Sequence, residues 1–293
     1  MASTKATIVH IAMMLWTFLP LTPQKLQNPI HGMILTSESF IESLITEAKI
    51  PFAPGLLDIV QGRDPPSLNW FKSLPTNYDG NWGLYIMVLK KPGYRFLIYL
   101  GTGTSAKSGI MRRMLQYIAG YLLPKHVKSA LSNGYKITHK GMVLWAPIPN
   151  WFLRFPLRVL FLALEALFAV LFWAMRSKKT YGLPQSMCPW ALKELKYDGL
   201  CSHSAICEKI DGELIGLTKK QIAEKEAQYK ARLAAQAKAY NRKRREMRRD
   251  NPEPVRAADR AARAKLKDSN KYYYDCCDVQ FQGARDWKKA SRV

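Results

Sequence analysis

Two tyrosines, an arginine and one isolated acid carry the chemistry that this chain's residue types and spacing allow: Tyr85, Tyr99, Arg113 and Glu165. A phenol with its ordinary pKa near 10 is a poor base, and it becomes useful only when a cation close by lowers that value. Arg113 suits that role and also offers a planar fork to phosphate oxygens. Glu165 is a hard oxygen donor of the kind that holds Mg²⁺ or Mn²⁺. Together these groups could hydrolyse a phosphodiester: a positioned water, a charge clamp on the phosphate, and a metal that stabilises the leaving oxygen. Tyr99 or Tyr85 would position or deprotonate the water, and Tyr117 would position the phosphate or pack its helix.

The elements that must place these groups run from Asn81 to Gly120. Gly83 to Leu89 and Phe96 to Gly101 are short runs rich in aliphatic and aromatic residues, separated by Lys90-Lys91-Pro92-Gly93. Two such runs around a Pro-Gly turn predict an antiparallel β-hairpin, with Tyr85 and Tyr99 nearly opposite each other. A small polar loop from Thr102 to Gly109 leads into a helix whose apolar stripe is Ile110, Met114 and Ile118, with Met111 and Leu115 beside it. Arg113 and Tyr117 lie four apart and stack on a neighbouring face. Leu123 to Ala130 suggests a second helix, with Lys125 and Lys128 on an exposed, phosphate-attracting side. Lys136 to Ala146 reads as a third strand.

Gly83-Leu84-Tyr85, Tyr99-Leu100-Gly101 and the Arg113 helix together resemble the signature of the GIY-YIG endonuclease superfamily, over Asn81 to Thr180, about a third of the chain. The set looks closest to fungal members of unknown role. The resemblance implies an α/β (α+β) fold, a small three-stranded antiparallel sheet flanked by helices. It also implies a metal-dependent DNA endonuclease with Tyr85, Tyr99, Arg113, Tyr117 and Glu165 as catalytic residues. Two departures from the family pattern stand out. No asparagine follows the Glu165 helix in Ser177 to Leu183, and Thr102 stands where a lysine is common, so that Lys107 would have to reach in from the loop. These departures leave room for a weakened or lost activity.

Glu165 is the single charge between Val159 and Met175. A helix apolar on all sides is buried or in a membrane, and a carboxylate isolated there costs several kcal/mol unless compensated. A membrane span carrying one acid competes with a core helix that directs Glu165 into a cleft; the Tyr/Tyr/Arg set upstream favours the second. Mg²⁺ or Mn²⁺, with Glu165 as metal ligand, is the cofactor this reading requires.

The 293 residues include 45 Lys+Arg against 22 Asp+Glu, a formal charge of +23, which favours a polyanionic partner. DNA, branched or structured DNA included, or RNA is the expected partner, and no membrane is expected. Five scattered cysteines do not form a secreted disulfide framework. Residues 1–78 read as an N-terminal extension. Its apolar segment Thr7 to Thr22 lacks a convincing cleavage site and reads as a core-docking strand or helix, while Ser37 to Ala48 reads as a capped amphipathic helix. The proline-punctuated stretch from Pro51 to Pro75 reads as irregular connecting structure.

Residues 79–185 form the candidate active domain and 186–216 a closing segment. Cys201, His203 and Cys207 lie within that segment without standard zinc spacing. Residues 217–268 change character, with residues 219–268 holding 17 Lys+Arg and 7 Asp+Glu. Strong helix formers with a thin apolar seam predict an exposed basic helix to Arg249, a break at Asn251 to Pro254, and a second helix to Lys267. The cluster around Arg242, Lys243, Arg244 and Arg245 could track a phosphate backbone or serve as a nuclear-localisation signal. With Thr102, Lys107, Arg112, Lys125 and Lys128 it makes up the expected substrate-binding set, and a nuclear or cytoplasmic location follows. Residues 269–293, with adjacent Cys276 and Cys277 and no histidine after them, read as a degenerate zinc-finger-like tail.

Overall fold

The computed structural model describes residues 4–76, 78–176, 185–210 and 217–250, with a few positions between Glu253 and Ala264. They cluster into two compact units. One comprises residues up to Met114 together with Leu123–Ile222; the other comprises Leu115–Leu122 and the chain from Ala223 onward.

The first unit is a mixed α/β structure around an open four-stranded sheet of order β3-β1-β2-β4. Strands β1 (Asn81–Lys90) and β2 (Phe96–Gly103) form the expected hairpin, with Gly93 at φ +76° in the turn. Strand β3 (Lys136–Pro147) pairs antiparallel on the other side of β1. The expectation of three strands is corrected by β4 (Tyr197–Gly199), which pairs parallel with Phe96–Ile98 of β2. Three residues of Tyr-Asp-Gly carry no apolar run, so nothing local marks them as a strand; only an already formed edge does. The hairpin register also differs from expectation. Tyr85 faces Gly101 and Tyr99 faces Met87, so the two tyrosines are diagonal neighbours on one face rather than opposite each other.

Helices α1 (Lys5–Leu21), α2 (Ile30–Ile34) and α3 (Glu38–Glu47) precede the sheet. The Ser37 hydroxyl accepts from the Phe40 N–H at 3.1 Å, the cap that its serine and first-turn acid predict. The proline-rich stretch is not simply irregular: α4 (Leu56–Gln61) and α5 (Leu68–Ser73) fit between its prolines, α5 capped by the Ser67 hydroxyl. These helices share one core with the sheet, in which Ile11, Leu15, Phe18, Ile41, Ile45 and Phe71 are closed to solvent.

Helix α6 (Met111–Ile118) follows the loop after β2, and α7 (Lys125–Ser132) precedes β3. Ile110 and Met114 are buried, as their stripe predicts, whereas Leu115 is exposed. Helix α8 (Trp151–Leu171) is the long apolar element. From Leu157 to Leu171 it is buried at nearly every position, and its neighbours are β1, β2, α1, α2 and α3. Its all-round hydrophobicity reflects cover on every side. No helix among the described residues is long and apolar enough to cross a membrane.

Helix α9 (Lys219–Asp250), which from Ala223 onward belongs to the second unit, is a single 32-residue helix, about 48 Å long at 1.5 Å per residue. Leu233, Tyr240 and Met247 remain exposed on it, so the thin seam buries little. Of the expected break at Asn251 to Pro254 only Glu253 is described, and it is helical, as are the described positions from Arg256 to Ala264; the finger-like tail lies outside the described residues.

Candidate active site

The end of β2 farthest from the hairpin turn is where the singled-out residues gather. Side chains alternate across a strand, and directly opposed residues share a face. Tyr85, Tyr99 and Gly101 therefore lie on one face of the sheet, while Leu84, Leu100 and Thr102 lie on the other, toward α8. The Tyr85 and Tyr99 rings are tilted against each other with centroids 6.4 Å apart. Tyr85 is buried, and Tyr99 keeps part of its surface.

Glycine is required between the two rings. A methyl group at Gly101 would lie 2.7 Å from the Tyr85 hydroxyl and 2.9 Å from the Tyr99 ring. The loop after β2 depends on a second glycine in the same way. At Gly109, φ is +52° and a Cβ would fall on the Asn81 carbonyl oxygen, so only a residue without a side chain lets the loop close over β1 and start α6. The Ile110 N–H then donates to that carbonyl at 2.8 Å, fixing the start of the helix that carries Arg113.

Glu165 reaches the same strand end from α8. The Thr102 hydroxyl donates to Glu165 Oε2 at 2.7 Å, and the Thr102 backbone N–H also favours the charged carboxylate. Strand β4 ends opposite Ile98, so the outer edge of β2 at Thr102 has no strand partner among the described residues, and the carboxylate sits against it. Burial is the largest influence and pushes the Glu165 pKa up to about 7. The Thr102 hydrogen bonds and the Arg113 charge pull it down, and Glu208 pushes it up. Glu165 is ringed by protein yet keeps part of its surface. At neutral pH it is therefore poised between carboxylic acid and carboxylate.

Arg113 is exposed on α6 and its charge acts on Glu165; Tyr117, one turn on, is buried. Lys107 and Arg112 are exposed. Lys125 and Lys128 line the exposed face of α7, opposite the buried Val127 and Ala130. Arg242, Lys243 and Arg245 are exposed on α9, and Arg244 is half-buried there. The structure thus puts Tyr85 and Tyr99 on one face of this strand end and Thr102 with Glu165 on the α8 side, where the Arg113 charge also acts on the carboxyl. Among the described residues no group of three or more His, Cys, Asp or Glu side chains could hold a metal ion. One carboxylate is still enough for Mg²⁺, which keeps several waters and takes substrate phosphate oxygens. Residues 177–184, where an asparagine is missing from the family pattern, lie outside the described residues.

Thr102 is the residue whose role the sequence conceals. It reads as a departure from a lysine, and it is the direct hydrogen-bond donor to the buried acid. The signal was the glycine-threonine alternation Gly101-Thr102-Gly103-Thr104, which marks a backbone that other groups approach closely. Cys201 braces the same strand. Its thiol donates to the Leu100 carbonyl at 3.3 Å, the Leu100 N–H donates to its sulfur at 3.4 Å, and burial pushes its pKa up to about 12. That thiol is inert and structural. No family model, curated protein or solved structure matches this chain.

Proposed function

We propose that the chain is a GIY-YIG-like, metal-dependent DNA endonuclease whose basic C-terminal helix adds sequence-independent affinity for nucleic acid. The observation that carries this reading is the 2.7 Å hydrogen bond between Glu165 and Thr102, residues 63 positions apart, at the strand end whose opposite face bears the Tyr85/Tyr99 ring pair. The charge of Arg113 acts on the same carboxyl. These residues come from two strands and two helices, β1, β2, α6 and α8.

Glu165 would hold Mg²⁺ or Mn²⁺, which would neutralise phosphate charge and assist departure of the leaving oxygen. Arg113, exposed and close enough for its charge to be felt at Glu165, binds the phosphate through its fork. Tyr99, the more open of the two phenols, orients the attacking water, and Tyr85 holds the Tyr99 ring in place. The test is nicking of supercoiled plasmid in Mg²⁺ or Mn²⁺. Activity is expected in the intact chain and lost in Tyr99→Phe, Arg113→Ala and Glu165→Gln with the fold retained. Intact plasmid, branched and flapped substrates with both metals would end the enzyme reading.

A second reading has its own support. Both donors of Thr102 satisfy Glu165, a structural duty that closes the open edge of β2. The chain is then a nucleic-acid-binding relative without activity, whose affinity falls steeply with salt and does not change in Glu165→Gln.

A further inference from the structure

The opposite end of the sheet carries a second feature, about 20 Å away along β2 at 3.3 Å per residue. Two glycine-tyrosine turns stand side by side there: Gly93-Tyr94 between β1 and β2, and Gly134-Tyr135 between α7 and β3. Each glycine has a positive φ, +76° and +84°, and each tyrosine precedes a basic residue, Arg95 or Lys136. The turns touch through Lys91, whose Cε lies 3.9 Å from where a Gly134 Cβ would be.

The two rings meet edge to face with centroids 6.4 Å apart. Tyr94 is 60% exposed. The Lys91 ammonium sits 4.1 Å from the centre of its ring, a cation–π contact that holds a charge beside an open aromatic surface. Tyr135 is anchored: its hydroxyl donates to the Arg95 carbonyl at 3.2 Å, and its N–H donates to the Ala130 carbonyl at 3.1 Å. Arg95 is in turn fixed to the Leu195 and Tyr197 carbonyls and to Asp198. Asp198 is taken up by its ion pair with Arg95, and Lys90, Lys91 and Lys136 add positive charge around the two rings.

An exposed ring, Tyr94, set against the half-buried Tyr135 within a lysine rim has the chemistry of a stacking platform for unpaired bases, with the ammonium groups tracking the phosphates. The geometry points to a binding surface for single-stranded nucleic acid formed by Tyr94, Tyr135, Lys90, Lys91 and Lys136. A duplex hides the faces of its bases in the stack and offers these rings nothing to stack on. This surface stands apart from the strand end bearing Glu165 and does not depend on any catalysis there.

The experiment measures binding by the full chain carrying Arg242→Gln, Lys243→Gln, Arg244→Gln and Arg245→Gln, which lowers the contribution of the basic helix. The probes are a fluorescent thymidine oligonucleotide of about 20 nucleotides, an abasic strand of the same charge, and a duplex of the same length. Tyr94→Ala with Tyr135→Ala should weaken the thymidine strand by about tenfold or more and leave the abasic strand and the duplex unchanged. Lys90→Gln, Lys91→Gln and Lys136→Gln together should weaken both single strands and lower the slope of log affinity against log salt by about 2, at about 0.7 per phosphate contact. Conservative Tyr94→Phe should bind as before. Equal loss on the thymidine and abasic strands, no loss on either, or ring-dependent binding to the duplex would overturn the inference. So would ring-dependent binding to anionic phospholipid vesicles with none to the thymidine strand.

Discussion

Replacing His31 by leucine should make the protein more stable and turn a flat response to acid into a gain in stability. His31 lies on α2, entirely closed to solvent, and neither ring nitrogen has a hydrogen-bond partner among the described residues. Burial pushes its pKa down from 6.5 to about 4. The unfolded chain therefore takes up the proton first. The stability that neutral His31 preserves is full above about pH 6.5 and is lost as the pH falls toward 4. At 1.36 kcal/mol per unit the whole loss is about 3 kcal/mol, of which about 2 kcal/mol is gone by pH 5.

Glu165 opposes it. Its pKa is pushed up from 4.5 to about 7, so the folded state binds this proton better. Its contribution is full below about pH 4.5 and is lost as the pH rises through 7. That change is worth about 2 kcal/mol between pH 5 and 7.5, reduced by the surface Glu165 retains. The two nearly cancel, so the intact protein should hold a flat stability profile from about pH 7.5 to 5. The assay is urea unfolding in EDTA, followed by tryptophan fluorescence, since Trp82 and Trp190 are fully buried. His31→Leu should gain about 1–3 kcal/mol at pH 7.5 by removing two unpaired polar atoms, and should become still more stable toward pH 5. Glu165→Gln should instead lose stability on acidification. Parallel profiles for the intact chain and His31→Leu would refute the reasoning, because His31 would then titrate alike folded and unfolded.

The remaining outcomes concern the strand end and the tail. Gly101→Val should destabilise by at least the 1–3 kcal/mol of an overpacked core, because its side chain meets the Tyr85 hydroxyl and the Tyr99 ring; thermal melting checks this. Thr102→Val keeps the shape but removes the donor to Glu165, so the Glu165 pKa should rise above its value in the intact chain, read by carboxyl titration in ¹³C NMR. Neutralising Arg242, Lys243, Arg244 and Arg245 to glutamine should lower the salt slope of duplex binding by up to about 0.9 per residue, and leave the melting of the first unit unchanged.

The elements legible in the sequence were those with strong local signals. The Pro92-Gly93 turn between aromatic and aliphatic runs gives the hairpin, Ser37 gives the start of α3, and a run of alanine, lysine and arginine gives α9. The register was not legible, because the connection between Leu89 and Leu97 is longer than a two-residue turn and only cross-strand packing sets the pairing. Strand β4 escaped for a related reason: its backbone bonds to an edge that exists only after the hairpin folds. Glu165 stood out through its isolation, but its partner did not, since a threonine 63 positions away has no spacing that announces it. Helices α4 and α5 were obscured by prolines that lie before and after them rather than within them.

The sheathing of α8 has a consequence for how the chain is made. Its greasiest segment leaves the ribosome only after α1, α2, α3 and the hairpin, which later cover much of it, while the turns Gln185–Met187 and Ala205–Cys207 that also pack on it come afterwards. Many of its partners are waiting when it arrives, and the window in which a naked apolar rod could clump or stray into a lipid bilayer is shortened. An excised fragment beginning near Asn81 would forfeit that escort, and should emerge from expression as insoluble material.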